Sequence, residues 1–165
     1  MLEIFVIAFC LYFLFNTYTS FMQIGYIKNA KNLKPIILDS SKYEEAANYS
    51  IEKEKLAIAS SFYDFVLFIF WIGFGLSYLD SLVQIESFWL KAVVFVDAFI
   101  VINWILTLPF ELYSTFNLNK KYGFSNMTPA LFIKDTIKTG ILFLVFGSVV
   151  IAAISFIIST FSTWW

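Results

Sequence analysis

Residues 108–135 read LPFELYSTFNLNKKYGFSNMTPALFIKD and lie between two strongly apolar segments. Connections between membrane spans are mostly plain polar tethers, whereas this one is dense in aromatic and polar groups together. Pro109 lacks an amide donor, frees the Ile105 carbonyl and is expected to kink or end a helix at Leu108-Pro109-Phe110. Glu111–Lys121 then reads as an interfacial segment (about 110–121), with Tyr113 and Phe116 placed to anchor it at a membrane surface. Tyr122-Gly123-Phe124 reads as a turn, because Gly123 is free to take positive φ. Thr128 supplies an N-cap hydroxyl and Pro129 a first helical residue. The helix so opened contains Phe132, Asp135 and the pair Lys134 and Lys138, and it leads into the last apolar segment.

Composition sets the class. Hydrophobic residues are 60% of the 165 and charged residues 14%, against about 45–50% and about 25% in a soluble domain. Mean hydropathy is +0.79 and there are 21 Phe. The chain reads as one all-α integral membrane domain, residues 1–165, with the lipid bilayer as its main surroundings. A spanning helix needs about 20 apolar residues. Four segments qualify: Ile4–Met22, Phe62–Leu79, Trp89–Leu108 and Thr139–Phe161. The first has Glu3 as its only early charge and no small-x-small site, so it reads as an uncleaved span and not as a signal peptide.

Lysine placement gives the orientation. Lys28, Lys31, Lys34, Lys42, Lys53 and Lys55 follow span 1, and Lys120, Lys121, Lys134 and Lys138 follow span 3. The connection between spans 2 and 3 has Lys91 beside Asp80 and Glu86. Loops 23–60 and 109–138 are therefore expected to be cytoplasmic, with both termini on the outer or lumenal side and Trp164 and Trp165 at that interface. The first loop is interrupted at Lys34-Pro35. Ser41 with Glu44 then fits a capping box, opening a long helix over about 42–60 that runs toward span 2. Tyr43, Ala47, Ile51 and Ile58 can share one of its faces, as on a solvated helix docked on the bundle.

Asp97 lies about eight residues into span 3, on the order of 12 Å deep at 1.5 Å per residue. An ionisable group at that depth is costly and is a functional candidate. Asn103, Thr107 and Glu111 follow four residues apart, so Asp97, Asn103 and Glu111 are candidates to face a hydrated interior. The alternative is an Asp satisfied by hydrogen bonds within the bundle. Span 4 carries Ser148, Ala152, Ser155 and Ser159, with Gly140 and Gly147, a spacing that suits close helix packing.

The missing residue types exclude chemistry. The sequence has no His and one Cys, Cys10. That removes Ser-His and Cys-His dyads and the usual zinc ligand set, and Cys10 reads as a small packed hydrophobe. A net charge of −1 offers nucleic acid no binding surface.

Taken in order, Leu108, Pro109, Phe110, Leu112, Tyr113, Ser114, Phe116, Gly123, Phe124, Thr128, Pro129, Leu131, Phe132, Lys134, Asp135 and Lys138 closely resemble the N-terminal membrane domain of the type 1 CAAX prenyl proteases. The segment EEAANYSIEKEKLAIASSFYDF resembles the stretch before that family's second span. Tyr122 stands where the family often has His. The resemblance implies a helical membrane chamber around a zinc site, bound by an HExxH helix and a later Glu, in which peptide bonds of membrane-associated substrates are cleaved. In such sites the two His bind zinc and the Glu is the general base. None of those residues is in this chain. Against the family pattern, a further span and the catalytic helix are expected to follow residue 165. The expectation is thus an N-terminal, non-catalytic part of a zinc metalloendopeptidase, inactive alone, holding no cofactor and partnered by a C-terminal protease domain and a peptide substrate. A small channel or transporter subunit using Asp97, or a non-catalytic membrane scaffold, is the alternative.

Overall fold

A computed structural model of the chain describes residues 2–32 and 39–161. Lys34-Pro35 and the Trp164-Trp165 pair lie outside the described residues. Every regular element among them is helical: α1 (Leu2–Ala30), α2 (Ser40–Phe70), a π-helical segment (Trp71–Gly75), α3 (Leu76–Leu82), α4 (Phe88–Leu112), a second π segment (Tyr113–Leu118), α5 (Asn119–Lys121) and α6 (Pro129–Thr160). Four continuous helical stretches, Glu3–Ala30, Ser40–Leu82, Phe88–Lys121 and Pro129–Thr160, are long and apolar enough to cross a membrane. The first three contain the first three expected spans, and the fourth covers Thr139–Phe161 up to Thr160. Lipid leaves no water for backbone groups, and a helix satisfies them all within itself.

The outward faces are apolar. Phe5, Phe15 and Phe146 are each at least 65% exposed, as expected where the solvent is hydrocarbon. The buried side chains are few and include Leu118, Phe132, Leu79 and Trp71.

The chain forms two compact units. The first comprises residues 1–70 and 110–126. In it α1 and α2 run antiparallel, as their side-chain register shows: Phe9 stacks on Phe68, Phe13 on Phe65, Asn16 bonds Ser61, and Tyr43 bonds the Ala30 carbonyl. Ile51 is buried while Tyr43 and Ala47 are half-buried, so the expected inner face of the loop helix holds. That helix starts at Ser40 with Asp39 before it, which places Ser41 inside the first turn and not at the cap. The capping-box reading is therefore corrected, since Asp39 is as good an N-cap type as Ser.

The second unit comprises residues 71–109 and 127–165. The stretch 71–82 and α4 form an antiparallel pair, with Trp71 against Phe99 and Asn103, and Asp80 paired with Lys91. α4 and α6 form another, with Trp104 over Gly140 and Asp97 on Ser148.

Pro109 does not end its helix. α4 continues three residues beyond it, and helical structure goes on through the second π segment to Lys121. A proline removes one backbone bond, and in membrane helices local π adjustments absorb such a loss. A π segment of this kind is a one-turn bulge in the α register.

Candidate functional site

A cluster of polar and aromatic contacts in the first unit lies where the segment after Phe110 runs along α2. Phe110 meets Tyr63 at 5.1 Å. Further along the segment, Tyr49 donates its hydroxyl to the Asn119 side-chain oxygen at 3.0 Å, and Lys121 Nζ sits 2.6 Å from Glu52 Oε1. The Tyr49 ring also lies against Tyr122 (5.3 Å) and Phe124 (4.6 Å). Phe110 meets Tyr63 near one end of α2, while Asn119 and Lys121 meet Tyr49 and Glu52 nearer its start, so segment 110–122 is antiparallel to α2. Leu118, 2% exposed, is the plug at its centre.

Local sequence explains the geometry. Six residues of π-helix (Tyr113–Leu118) widen the turn just before the docking residues and so rotate Asn119 and Lys121 relative to an unbroken α-helix. Gly123 follows with φ 74°, a conformation that an L side chain would resist. It reverses the chain so that Phe124 returns to Tyr49, with the Phe124 amide bonded to the Asn119 carbonyl at 2.8 Å.

Electrostatics in this polar stretch, outside the apolar spans, follow from the pair. The Lys121 ammonium bonded to Glu52 holds that carboxyl below the usual carboxylate range. The same bond lifts Lys121 above the ordinary lysine value. Burial pushes the Tyr122 phenol up, reinforced by the Glu52 carboxylate beside it. An open groove of about 520 Å³ borders the pair, lined by Glu44, Glu45, Asn48, Glu52, Lys55 and Tyr122 among others. Glu44 is itself paired with Lys31 at 2.8 Å. The groove is a largely neutralised polar surface.

In the second unit, Thr128 caps α6 as its sequence indicates. Its hydroxyl accepts from the Leu131 amide at 3.3 Å, its backbone is extended (φ −89°, ψ 151°), and Pro129 is the first helical residue. Phe132 is 5% exposed, whereas Lys134, Asp135 and Lys138 are exposed.

The three polar candidates of the third apolar span have different surroundings. Asp97 Oδ2 is 2.6 Å from the Ser148 hydroxyl, while Asp97 Oδ1 is buried without a hydrogen-bond partner among the described residues. Asn103 accepts from the Trp71 indole at 3.2 Å. Glu111 is exposed. Thr107 turns its hydroxyl back to the Trp104 carbonyl of its own helix. Among the span-4 residues, Ser155 is buried and the Ser159 hydroxyl donates to the Phe156 carbonyl of its own helix. Tyr49, Glu52, Asn119 and Trp71 carry internal contacts that sequence reasoning misses. Only the long-range register reveals them, and the weak available signal is a Tyr and a Glu one turn apart on the inner side of the loop helix.

Among the described residues no group of three or more His, Cys, Asp and Glu could hold a metal ion. With no His in the sequence, the residues present do not fit the zinc set that the resemblance implies.

The family of CAAX prenyl protease N-terminal domains, described as having five membrane helices, matches residues 23–165. The chain belongs to this family of membrane domains. Among curated relatives, the CAAX prenyl protease 1 homolog of Oryza sativa subsp. japonica is 30% identical over 160 residues, covering 90% of this chain and 38% of the relative. CAAX prenyl protease 1 of Saccharomyces cerevisiae is 25% identical over 143 residues, covering 77% of this chain and 31% of the relative. The crystal structure of S. mikatae Ste24p superposes with a TM-score of 0.86 at 24% identity, over 98% of this chain and 40% of that one, a likeness of fold. The chain thus spans less than two-fifths of the length of these curated relatives.

Proposed function

We propose that this chain is the membrane wall of a zinc metalloendopeptidase whose catalytic helix lies in a separate stretch of protein. What supports the reading is the way the family motif is used. Phe110 and Phe124 of the motif pack on α2, and Asn119 and Lys121 between them make polar contacts to it, so this stretch acts as a structural brace. A braced wall is what a chamber needs if a peptide bond is to be held in one orientation.

In this reading zinc and its ligands are supplied by the C-terminal part, and the substrate is a membrane-associated peptide. Glu111, exposed on its helix, presents a carboxylate to the chamber, while Asp97 and Asn103 bond neighbouring helices within the second unit. The Lys-bearing segments 23–60 and 109–138 face the cytoplasm and the termini face the opposite side. A single Cys placed at Glu45 or at Lys120, with Cys10 replaced by Ala, should react with an impermeant maleimide from the cytoplasmic face alone.

The functional test is co-expression with a C-terminal segment carrying the HExxH helix of a relative. Zinc-dependent cleavage of a prenylated peptide should require both pieces. Zinc-dependent proteolysis by the purified chain alone would overturn the assignment.

A further inference from the structure

The hydrogen bonds around Ser148 contain one more contact than the hydroxyl has protons. Ser148 Oγ lies 2.6 Å from Asp97 Oδ2 and 2.6 Å from the carbonyl oxygen of Leu144. Both separations fall in the range of an O–H···O hydrogen bond, and each needs a proton on its line. A serine hydroxyl carries one. The Leu144 carbonyl carries none, so the second proton has to come from the carboxyl group. If Asp97 were ionised, Ser148 would donate to it, and the Leu144 oxygen would face the lone pairs of Oγ at 2.6 Å with nothing between them.

We propose that Asp97 carries a proton, donating from Oδ2 to Ser148 Oγ while Ser148 donates to the Leu144 carbonyl. The pair is then a neutral acid–hydroxyl clasp, a proton-binding site between α4 and α6.

Two further observations agree with this. Asp97 Oδ1 is buried and has no partner among the described residues. Leaving the carbonyl oxygen of a neutral acid in that position costs far less than leaving half of a carboxylate there. Among the described residues no ion pair includes Asp97 either. The ion pairs among the described residues join Lys31 to Glu44, Lys91 to Asp80 and Lys121 to Glu52. The other charged groups on these two helices are Glu111 on α4 and Lys134, Asp135 and Lys138 on α6. Lys138, nearest along α6, is ten residues before Ser148, on the order of 15 Å along the axis.

The clasp has a structural consequence. A neutral donor–acceptor pair can stay in hydrocarbon and fix the register of two antiparallel helices at far lower cost than a charge held there. It assigns Asp97 to interhelical fixation and takes it out of any ion-conducting path.

Infrared spectroscopy of the full protein in lipid nanodiscs at neutral pH tests this. The wild-type spectrum should contain a protonated-carboxyl C=O band. That band should vanish in Asp97→Asn, which keeps an N–H donor toward Ser148, and should shift in frequency in Ser148→Ala, which removes the acceptor. Loss of carboxylate-stretch intensity alone in Asp97→Asn would overturn the proposal. So would an acid band that Ser148→Ala leaves in place. Should Asp97→Asn fail to accumulate folded, the wild-type and Ser148→Ala spectra decide by the same criteria.

Discussion

Trp71 donates its indole N–H to the Asn103 side-chain oxygen at 3.2 Å, with its ring edge-on to Phe99 at 4.8 Å. The bond joins the first residue of a π segment to the middle of α4. Interhelical hydrogen bonds in membranes contribute about 0.6 kcal/mol on average and up to about 1.7 kcal/mol. Trp71→Phe keeps an aromatic ring near Phe99 and removes the donor. Unfolding measured by steric trapping in bicelles should show a loss of about 1–2 kcal/mol. A cycle with Asn103→Leu should return a coupling of about 0.6 kcal/mol, and a coupling of zero would show that the bond adds nothing to stability.

Two glycines on α6 differ in what surrounds them. A Cβ on Gly140 would lie 3.0 Å from the Trp104 ring, whereas one on Gly147 would meet nothing within 4 Å. Overpacking a close helix contact costs about 1–3 kcal/mol. Gly140→Leu should therefore destabilise the α4–α6 pair by that amount and Gly140→Ala by less. Gly147→Ala should change stability by under about 0.5 kcal/mol, within the usual range for a site with free surface. Equal losses at both positions would contradict the antiparallel register of α4 and α6.

Thr128 holds the Leu131 amide and so starts α6. Replacing an N-cap Thr with Ala costs about 1 kcal/mol. Thr128→Ala should speed amide exchange in the first turn of α6 severalfold, and Thr128→Ser should restore protection. Unchanged exchange in the Ala variant would mean that Pro129 alone sets the helix start.

The apolar spans are legible in the sequence because lipid demands about 20 apolar residues in a row, and that demand is written locally. Gly123 and Thr128-Pro129 are legible for a similar reason: positive φ and helix capping are properties of one or two residues. The fate of Pro109 is not, because whether a helix survives a lost bond depends on the π segment that follows and on Phe110 packing against Tyr63. Asp97 stands out by its depth. Its partner Ser148 looks like one small packing residue among several, and only the α4–α6 register selects it. Glu52 and Lys121 are 69 positions apart, and each alone reads as an ordinary solvated charge.

That last pair makes a prediction with a defined pH window. Glu52 is held below its ordinary value of 4.5 by Lys121, so its contribution is complete above about that pH and is lost as pH falls through the lower folded value. Lys121 is held above its ordinary value of 10.5 by Glu52, so its contribution is complete below that and is lost as pH rises through the higher folded value. The bond is therefore at full strength across the whole neutral range. Both side chains are more than one-third exposed, so solvent and salt screen the pair and its effect on stability is small. Lys121→Met and Glu52→Gln should each loosen the docking of residues 119–124 on α2, read as faster amide exchange at Phe124, whose amide is bonded to the Asn119 carbonyl. The double variant should exchange no faster than either single one, since each already breaks the same bond. The difference from wild type should stay constant through the neutral range, shrink at acid pH and shrink again on raising salt. Additive effects of the two substitutions would show that Glu52 and Lys121 act on the segment separately and not as a pair.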